Sequence, residues 1–289
     1  MNPAKFDYVA AASVDEALSL LRRHGDGAKL LAGGHSLIPL MKLRLAQPEV
    51  LVDITRIPGL GEIRPADGGL AIGATCTYRQ LVESPVVRES APLLGEAAAG
   101  IGDPQVRNRG TIGGNLAHAD TAADLPAVAL ALDAELVARG PSGERTIPAT
   151  AFFRGMLSTA LGPDELLTEI RIPRRSGRGT GSAYRKFDQP ASRYAVVGVA
   201  VLVRLEDGRV AEVAVGITGA GERAVRATQA ESALRGQPAS DGAVARAAEV
   251  AAEGIAFLGD IHASADYRRH LTRVYTRRAL AAALRAAAG

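Results

Sequence analysis

Behind a short N-terminal strand, Leu18, Leu20 and Leu21 supply an apolar face, Ser13-Val14-Asp15-Glu16 has the form of a capping box, and Gly25 stops the run. The pattern predicts a helix to about Arg23. Lys29-Leu30-Leu31-Ala32 is a brief apolar run ending in Gly33-Gly34, Leu37 to Leu43 resumes at helical spacing, and Val50-Leu51-Val52-Asp53-Ile54 reads as a strand. Residues 1–54 thus predict β, α, β, glycine loop, helix, β: a small α/β subdomain.

From Thr55 the pattern changes. Strands are expected at Gly61–Arg64 and Gly69–Gly73, and helices at Tyr78–Glu83 and across Val86–Gly100 around Pro85 and Pro92. A second glycine loop follows at Thr111-Ile112-Gly113-Gly114-Asn115. Asp124-Leu125-Pro126 should open a helix to about Leu132, with Asp124 placed to cap it, and strands are expected at Ala134–Ala138, Glu144–Pro148 and Glu165–Ile172. The Gly-, Ser- and Arg-rich stretch Arg174–Gly181 reads as a linker, dividing a second unit, 55–177, from a third, 178–289.

In the third unit Ser182–Phe187, Ala195–Leu205 and Arg209–Ile217 predict three antiparallel strands, the last two joined by a hairpin at Glu206-Asp207-Gly208. Helices over about Arg223–Arg235, Asp241–Phe257 and Ala265–Ala287 should cover that sheet. The expected fold class is α+β.

Composition narrows the chemistry. With 47% hydrophobic residues over 289 positions the chain can bury a sizeable core, and 34 Lys and Arg against 31 Asp and Glu, without clustering, give no nucleic-acid footprint. The single Cys76 excludes an internal disulfide, an iron–sulfur cluster of the chain's own, or a thiolate zinc site. Neither a signal peptide nor an apolar membrane span is indicated. The expectation is a cytoplasmic protein, with association at the inner membrane face left open. No tryptophan is present and aromatics make up only 4%, so aliphatic side chains must line any pocket.

The candidate chemistry lies in the two glycine pairs. A diphosphate needs backbone N–H groups converging on it without Cβ atoms in the way, and two such segments suggest two walls around one long anionic cofactor. Ser36 suits a phosphate donor at the start of a helix, a role compatible with N-capping. Gly34-His35-Ser36 does not complete a nucleophile elbow, because Ile38 stands where the closing glycine belongs. His118 and Asp120 with Asp124 make too few convergent ligands for a divalent metal. Gly219-Ala220-Gly221-Glu222-Arg223-Ala224 has the form of a nicotinamide-dinucleotide fingerprint, but it follows a hairpin strand and no ribose-binding acid succeeds it. A scaffold in which both glycine pairs are plain turns is the non-enzymatic alternative.

Laid out with their flanks, Lys29-Leu30-Leu31-Ala32-Gly33-Gly34-His35-Ser36-Leu37 and Gly102 through Asn115 resemble the FAD-binding medium subunit of molybdenum hydroxylases. The similarity is to the carbon monoxide dehydrogenase branch and more distantly to the xanthine dehydrogenase flavin domain, and it covers essentially the whole chain. It implies a two-subdomain FAD-binding domain of the PCMH/vanillyl-alcohol-oxidase type, followed by the antiparallel sheet with its helical cover. Leu30 through Leu37 and Thr111 through Asn115 would hold the FAD diphosphate. Asp124 matches an adenosine-side acid, and Ile101 and Leu167 match apolar positions against the cofactor. Lys186 matches a lysine near the isoalloxazine, with Tyr194 covering one flavin face. Ile101 replaces an aromatic residue of the xanthine enzymes, and no NAD-contacting loop is evident, which favours a quinone or other one-electron acceptor. The implied partners are a small subunit with two 2Fe–2S clusters and a large subunit with the molybdenum–pterin cofactor, in a dimer of heterotrimers. No catalytic residue and no metal site is expected on this chain.

Overall fold

The computed structural model describes residues 2–175 and 177–289; Ser176, inside the predicted linker, lies outside the described residues. The chain lays down three main sheets in succession. The first contains β1 (Asp7–Ala10), β2 (Ala28–Leu31) and β3 (Val50–Asp53), all parallel in the order β1-β3-β2, with α1 (Val14–His24) and α2 (Leu37–Lys42) as crossovers. Ser13 accepts the Glu16 N–H at 3.1 Å, while the Glu16 carboxylate reaches past Ser13 to the N–H of Ala12 at 2.7 Å. Ala17, Leu18 and Leu21 share a buried core with Val50, Val52 and Ile54.

The second unit holds β4 (Ile63–Ala66), β5 (Gly69–Gly73), β6 (Glu135–Gly140), β7 (Gly143–Pro148), the small hairpin of β8 (Phe153–Gly155) and β9 (Ser158–Thr159), and β10 (Leu166–Pro173). Its main sheet is antiparallel in the order β4-β5-β10-β6-β7. Around it run α3 (Tyr78–Glu83), α4 (Pro85–Ser90), α5 (Pro92–Ala99), α6 (Pro104–Arg109), α7 (Ile112–His118), α8 (Leu125–Ala131) and α9 (Ala149–Phe152). Three expectations change here. Val86–Gly100 is two helices, because each proline opens its own helix and excludes the preceding residue from helical backbone; Ala91 sits at φ −147°. The second glycine pair lies in the first turn of α7, not in a loop, with Thr111 capping the N–H of Gly114 at 3.2 Å. Asp124 makes no cap bond to α8, because its carboxylate is taken by partners far along the chain.

The third sheet consists of β11 (Thr180–Asp188), β12 (Ala195–Glu206), β13 (Arg209–Thr218) and the short β14 (Val225–Arg226), in that order and antiparallel. It has four strands, not three. Pairing of Val225 and Arg226 with Ile217 and Gly216 delays the expected helix to α10 (Thr228–Leu234). The next, α11 (Asp241–Val250), ends well before Phe257, and α12 (Ala265–Ala288) closes the chain. The expected hairpin is present, with Asp207 at φ 49° and Gly208 at φ 72°, the left-handed pair that matches strand twist. One face of this sheet buries Val199, Val201, Val215 and Ile217 against Leu271 and Leu280, each worth about 1.5–3 kcal/mol in removed apolar surface. On the other face lies α8, whose seven residues are all buried, as its uniformly apolar sequence requires. No helix among the described residues is long and apolar enough to cross a membrane.

Candidate functional site

A cavity of about 590 Å³ opens among the three units, within the size range of cofactor sites. Every residue that the resemblance assigns to the cofactor lines it except Ile112, which is buried in the core, and Lys186.

One wall is the segment between β2 and α2. The N–H groups of Gly33, Gly34, His35 and Ser36 make no backbone hydrogen bond among the described residues, while the Gly34 carbonyl accepts the N–H of Ile38 at 2.9 Å. Gly34 sits at φ +75°, a left-handed turn that brings this run of donors round toward the helix start. Ser36 stands at the N-cap position without making a cap bond, which leaves its hydroxyl for other partners.

The opposite wall works differently from the sequence expectation. The N–H groups of Ile112, Gly113, Gly114 and Asn115 are all taken, by Cys76 O, Ala74 O, Thr111 Oγ1 and Thr111 O. Gly113 is glycine for packing: a Cβ there would lie 2.5 Å from the Ala74 carbonyl oxygen. This wall therefore offers Thr111, Asn115 and bare glycine surface, not converging amides. Asn115 donates through Nδ2 to the Tyr78 hydroxyl at 3.0 Å, and its buried Oδ1 has no partner, an acceptor waiting for a donor from within the cavity.

At one end stands a buried polar cluster. Asp124, 3% exposed, accepts the Tyr184 hydroxyl at 2.6 Å and pairs with the Lys186 ammonium at 3.0 Å, both through Oδ1. Burial pushes the Asp124 carboxyl above the ordinary aspartate value, against the opposing pull of Lys186 and Tyr184. Burial, then the charges of Asp120 and Asp124, also raise the Tyr194 hydroxyl, while Ser36 across the cavity draws it down. An adenosine-side Asp124 and a flavin-side Lys186 cannot stand at opposite ends of one dinucleotide, because the two are in contact. Ile101 and Leu167, 9% and 4% exposed, supply apolar surface to the same cavity.

Sequence reasoning missed several contributors. Tyr78 holds Asn115 and flanks Gly110 so closely that a Cβ there would meet its ring at 2.4 Å. Tyr184 orients Asp124 from β11. Neither carries a local signal, since both act across long stretches of chain. Cys76 is buried, its thiol pushed up to about 11 by burial, and it donates to Glu62 O. Among the described residues no group of three or more His, Cys, Asp or Glu could hold a metal ion, and Asp120 instead accepts the Ala122 N–H at 2.8 Å. The Gly219–Ala224 fingerprint opens no helix: it leads into β14, and the Gly219 carbonyl is occupied by the Arg268 guanidinium at 2.7 Å.

Residues 4–175 match the family described as the FAD binding domain in molybdopterin dehydrogenase, and residues 182–283 match the CO dehydrogenase flavoprotein C-terminal domain. The chain is 44% identical over 283 residues to the carbon monoxide dehydrogenase medium chain of Hydrogenophaga pseudoflava, covering 98% of each. It is 43% identical over 285 residues to the 6-hydroxypseudooxynicotine dehydrogenase complex subunit alpha of Paenarthrobacter nicotinovorans, covering 98% of this chain and 96% of the relative. The fold matches the solved Hydrogenophaga pseudoflava carbon monoxide dehydrogenase that lacks the Mo-pyranopterin moiety, with a TM-score of 0.95 at 45% identity over 98% of each chain. The chain belongs to the FAD-binding medium subunits of the carbon monoxide dehydrogenase and xanthine dehydrogenase type of molybdenum hydroxylase, and is an oxidoreductase subunit.

Proposed function

We propose that this chain holds FAD between its first two units, 1–54 and 55–177, and carries electrons from the iron–sulfur clusters of a small partner subunit to an external acceptor. The observation that carries the reading is the run of backbone donors at Gly33–Ser36, facing Thr111 and the unpartnered Asn115 Oδ1 across one cavity. A diphosphate fits the donors, and a hydroxyl or amine of the cofactor fits the acceptor. Bound FAD supplies the electron exchange that no side chain here can perform.

The chain's own residues bind and orient. The Gly33–Ser36 amides would hold the diphosphate, Ile101 and Leu167 would exclude water from the rings, and Tyr194 would cover one flavin face. Asp124, with Oδ1 engaged, has Oδ2 left for a donor on the cofactor. Substrate oxidation belongs to a large molybdenum–pterin subunit. Relatives named for carbon monoxide and for 6-hydroxypseudooxynicotine are about equally similar, which supports placing substrate choice outside this chain. A quinone-type acceptor, a dimer of heterotrimers and a place in the cytoplasm or at its membrane face complete the proposal.

The test is the visible spectrum of the protein co-purified with its partners. Flavin bands should bleach when the large subunit's substrate is added and recover with a quinone analogue but not with NAD. A complex that turns over without flavin would end this reading.

A further inference from the structure

The resemblance places Lys186 beside the isoalloxazine as a cation, yet Lys186 does not line the cavity. Its ammonium has three protein acceptors: Gly100 O at 3.0 Å, Arg193 O at 2.6 Å and Asp124 Oδ1 at 3.0 Å. An ammonium carries three donors, so none remains for a cofactor.

These acceptors belong to three separate segments: the end of α5, the residue before α8, and the turn between β11 and β12. That turn is compact. The Arg193 N–H donates to Gln189 O at 2.8 Å, the Gln189 N–H to Tyr194 O at 2.9 Å, and the Ser192 N–H to Gln189 Oε1 at 2.6 Å. Arg193 sits at φ 59°, a backbone state that a residue with a side chain holds only when its surroundings enforce it. The next residue, Tyr194, lines the cavity, as does Ser36 on the other wall.

We propose that Lys186 is a positioning residue that acts on FAD through Tyr194. It latches the Arg193 carbonyl to Gly100 and Asp124, and so holds the tyrosine ring across the cavity. The proposal rests on the FAD reading of that cavity. A lysine acting directly on the flavin would tune its charge; a latch sets how long the flavin stays and how closely the tyrosine covers it.

The experiment compares the FAD-loaded complex of wild type with Lys186→Met, Gln189→Ala, Tyr194→Ala and the Lys186→Met/Tyr194→Ala double variant. It reads FAD release rate, flavin fluorescence quenching and midpoint potential. Lys186→Met should release FAD roughly tenfold faster, on the scale of a lost charge-assisted hydrogen bond, and should brighten the flavin as Tyr194→Ala does. In the Tyr194→Ala background it should add nothing. Gln189→Ala loosens the same turn while leaving the buried Lys186–Asp124 pair intact, and should shift release the same way even where Lys186→Met folds poorly. Unchanged release with a lowered midpoint potential in Lys186→Met would overturn the latch in favour of a direct cation, as would additive effects in the double variant. A wild-type protein that takes up no FAD would instead overturn the reading of the cavity itself.

Discussion

Gly33 and the backbone of Arg109 meet so closely across the seam of the first two units that a Cβ on Gly33 would lie 2.2 Å from the Arg109 carbonyl oxygen. The contact is backbone against backbone, so no side-chain rotation relieves it. Gly33→Ala should therefore wedge the two cavity walls apart, costing about 1–3 kcal/mol or more and most of the bound flavin. Gly114→Ala meets only the Thr111 hydroxyl, at 2.8 Å, and should be milder. The flavin-to-protein absorbance ratio of each purified complex checks the order; equal retention in both variants contradicts it.

Gly113→Ala should act on the second wall without touching any free amide. Its Cβ would press on Ala74 and push α7 away from the end of β5, again at about 1–3 kcal/mol. Thermal unfolding should fall by several degrees together with flavin content. A full loss of flavin at unchanged melting temperature would mean that Gly113 contacts the cofactor directly.

The raised Asp124 carboxyl carries a pH signature. Its folded value lies above the ordinary 3.8, so the folded state binds the proton more tightly than the unfolded chain. The stability this confers is fully present below the ordinary value and lost as pH rises through the folded one. Relative to Asp124→Asn, the wild type should lose stability over that interval. Denaturant midpoints of the two proteins across the acid range decide it, and parallel curves would show that Asp124 does not titrate as argued.

Arg268, 5% exposed, donates to Val196 O at 2.5 Å and Gly219 O at 2.7 Å and pairs with Asp260 at 2.5 Å. Arg268→Met strands two buried carbonyls and should cost about 3–5 kcal/mol. Chemical denaturation measures this, and a loss below about 1 kcal/mol would place those carbonyls in contact with water.

The glycines at 219 and 221 should prove structural. Gly219 holds φ +77° with a would-be Cβ 2.6 Å from Ala195 O, and Gly221 approaches Ala256 O at 2.8 Å. Alanine at either position should lower the melting temperature while calorimetry detects no NAD binding before or after. NAD binding in the wild type, abolished by Gly221→Ala at constant stability, would revive the nicotinamide reading.

Much of this architecture was legible locally. The Ser13 box, the Asp207-Gly208 hairpin and the apolar α8 each announce themselves within a few residues, because capping and turn conformation are short-range effects. The strand β14 and the early end of α11 were not, since two paired residues and a three-dimensional stop leave no periodic trace.

The candidate site divides the same way. Sequence alone determined that two glycine pairs with hydroxyl and amide neighbours exist, the first of them just after an apolar run and ahead of a helix. Only the tertiary structure decided that Gly113 serves packing and that the amides of the second pair are taken, that Tyr184 draws Asp124 out of its capping role from 60 residues away, and that Lys186 spends its donors on carbonyls as far as 86 residues distant. A hydrogen bond depends on distance in space. Where the partner is remote in the chain, nothing in the local pattern of residues encodes it.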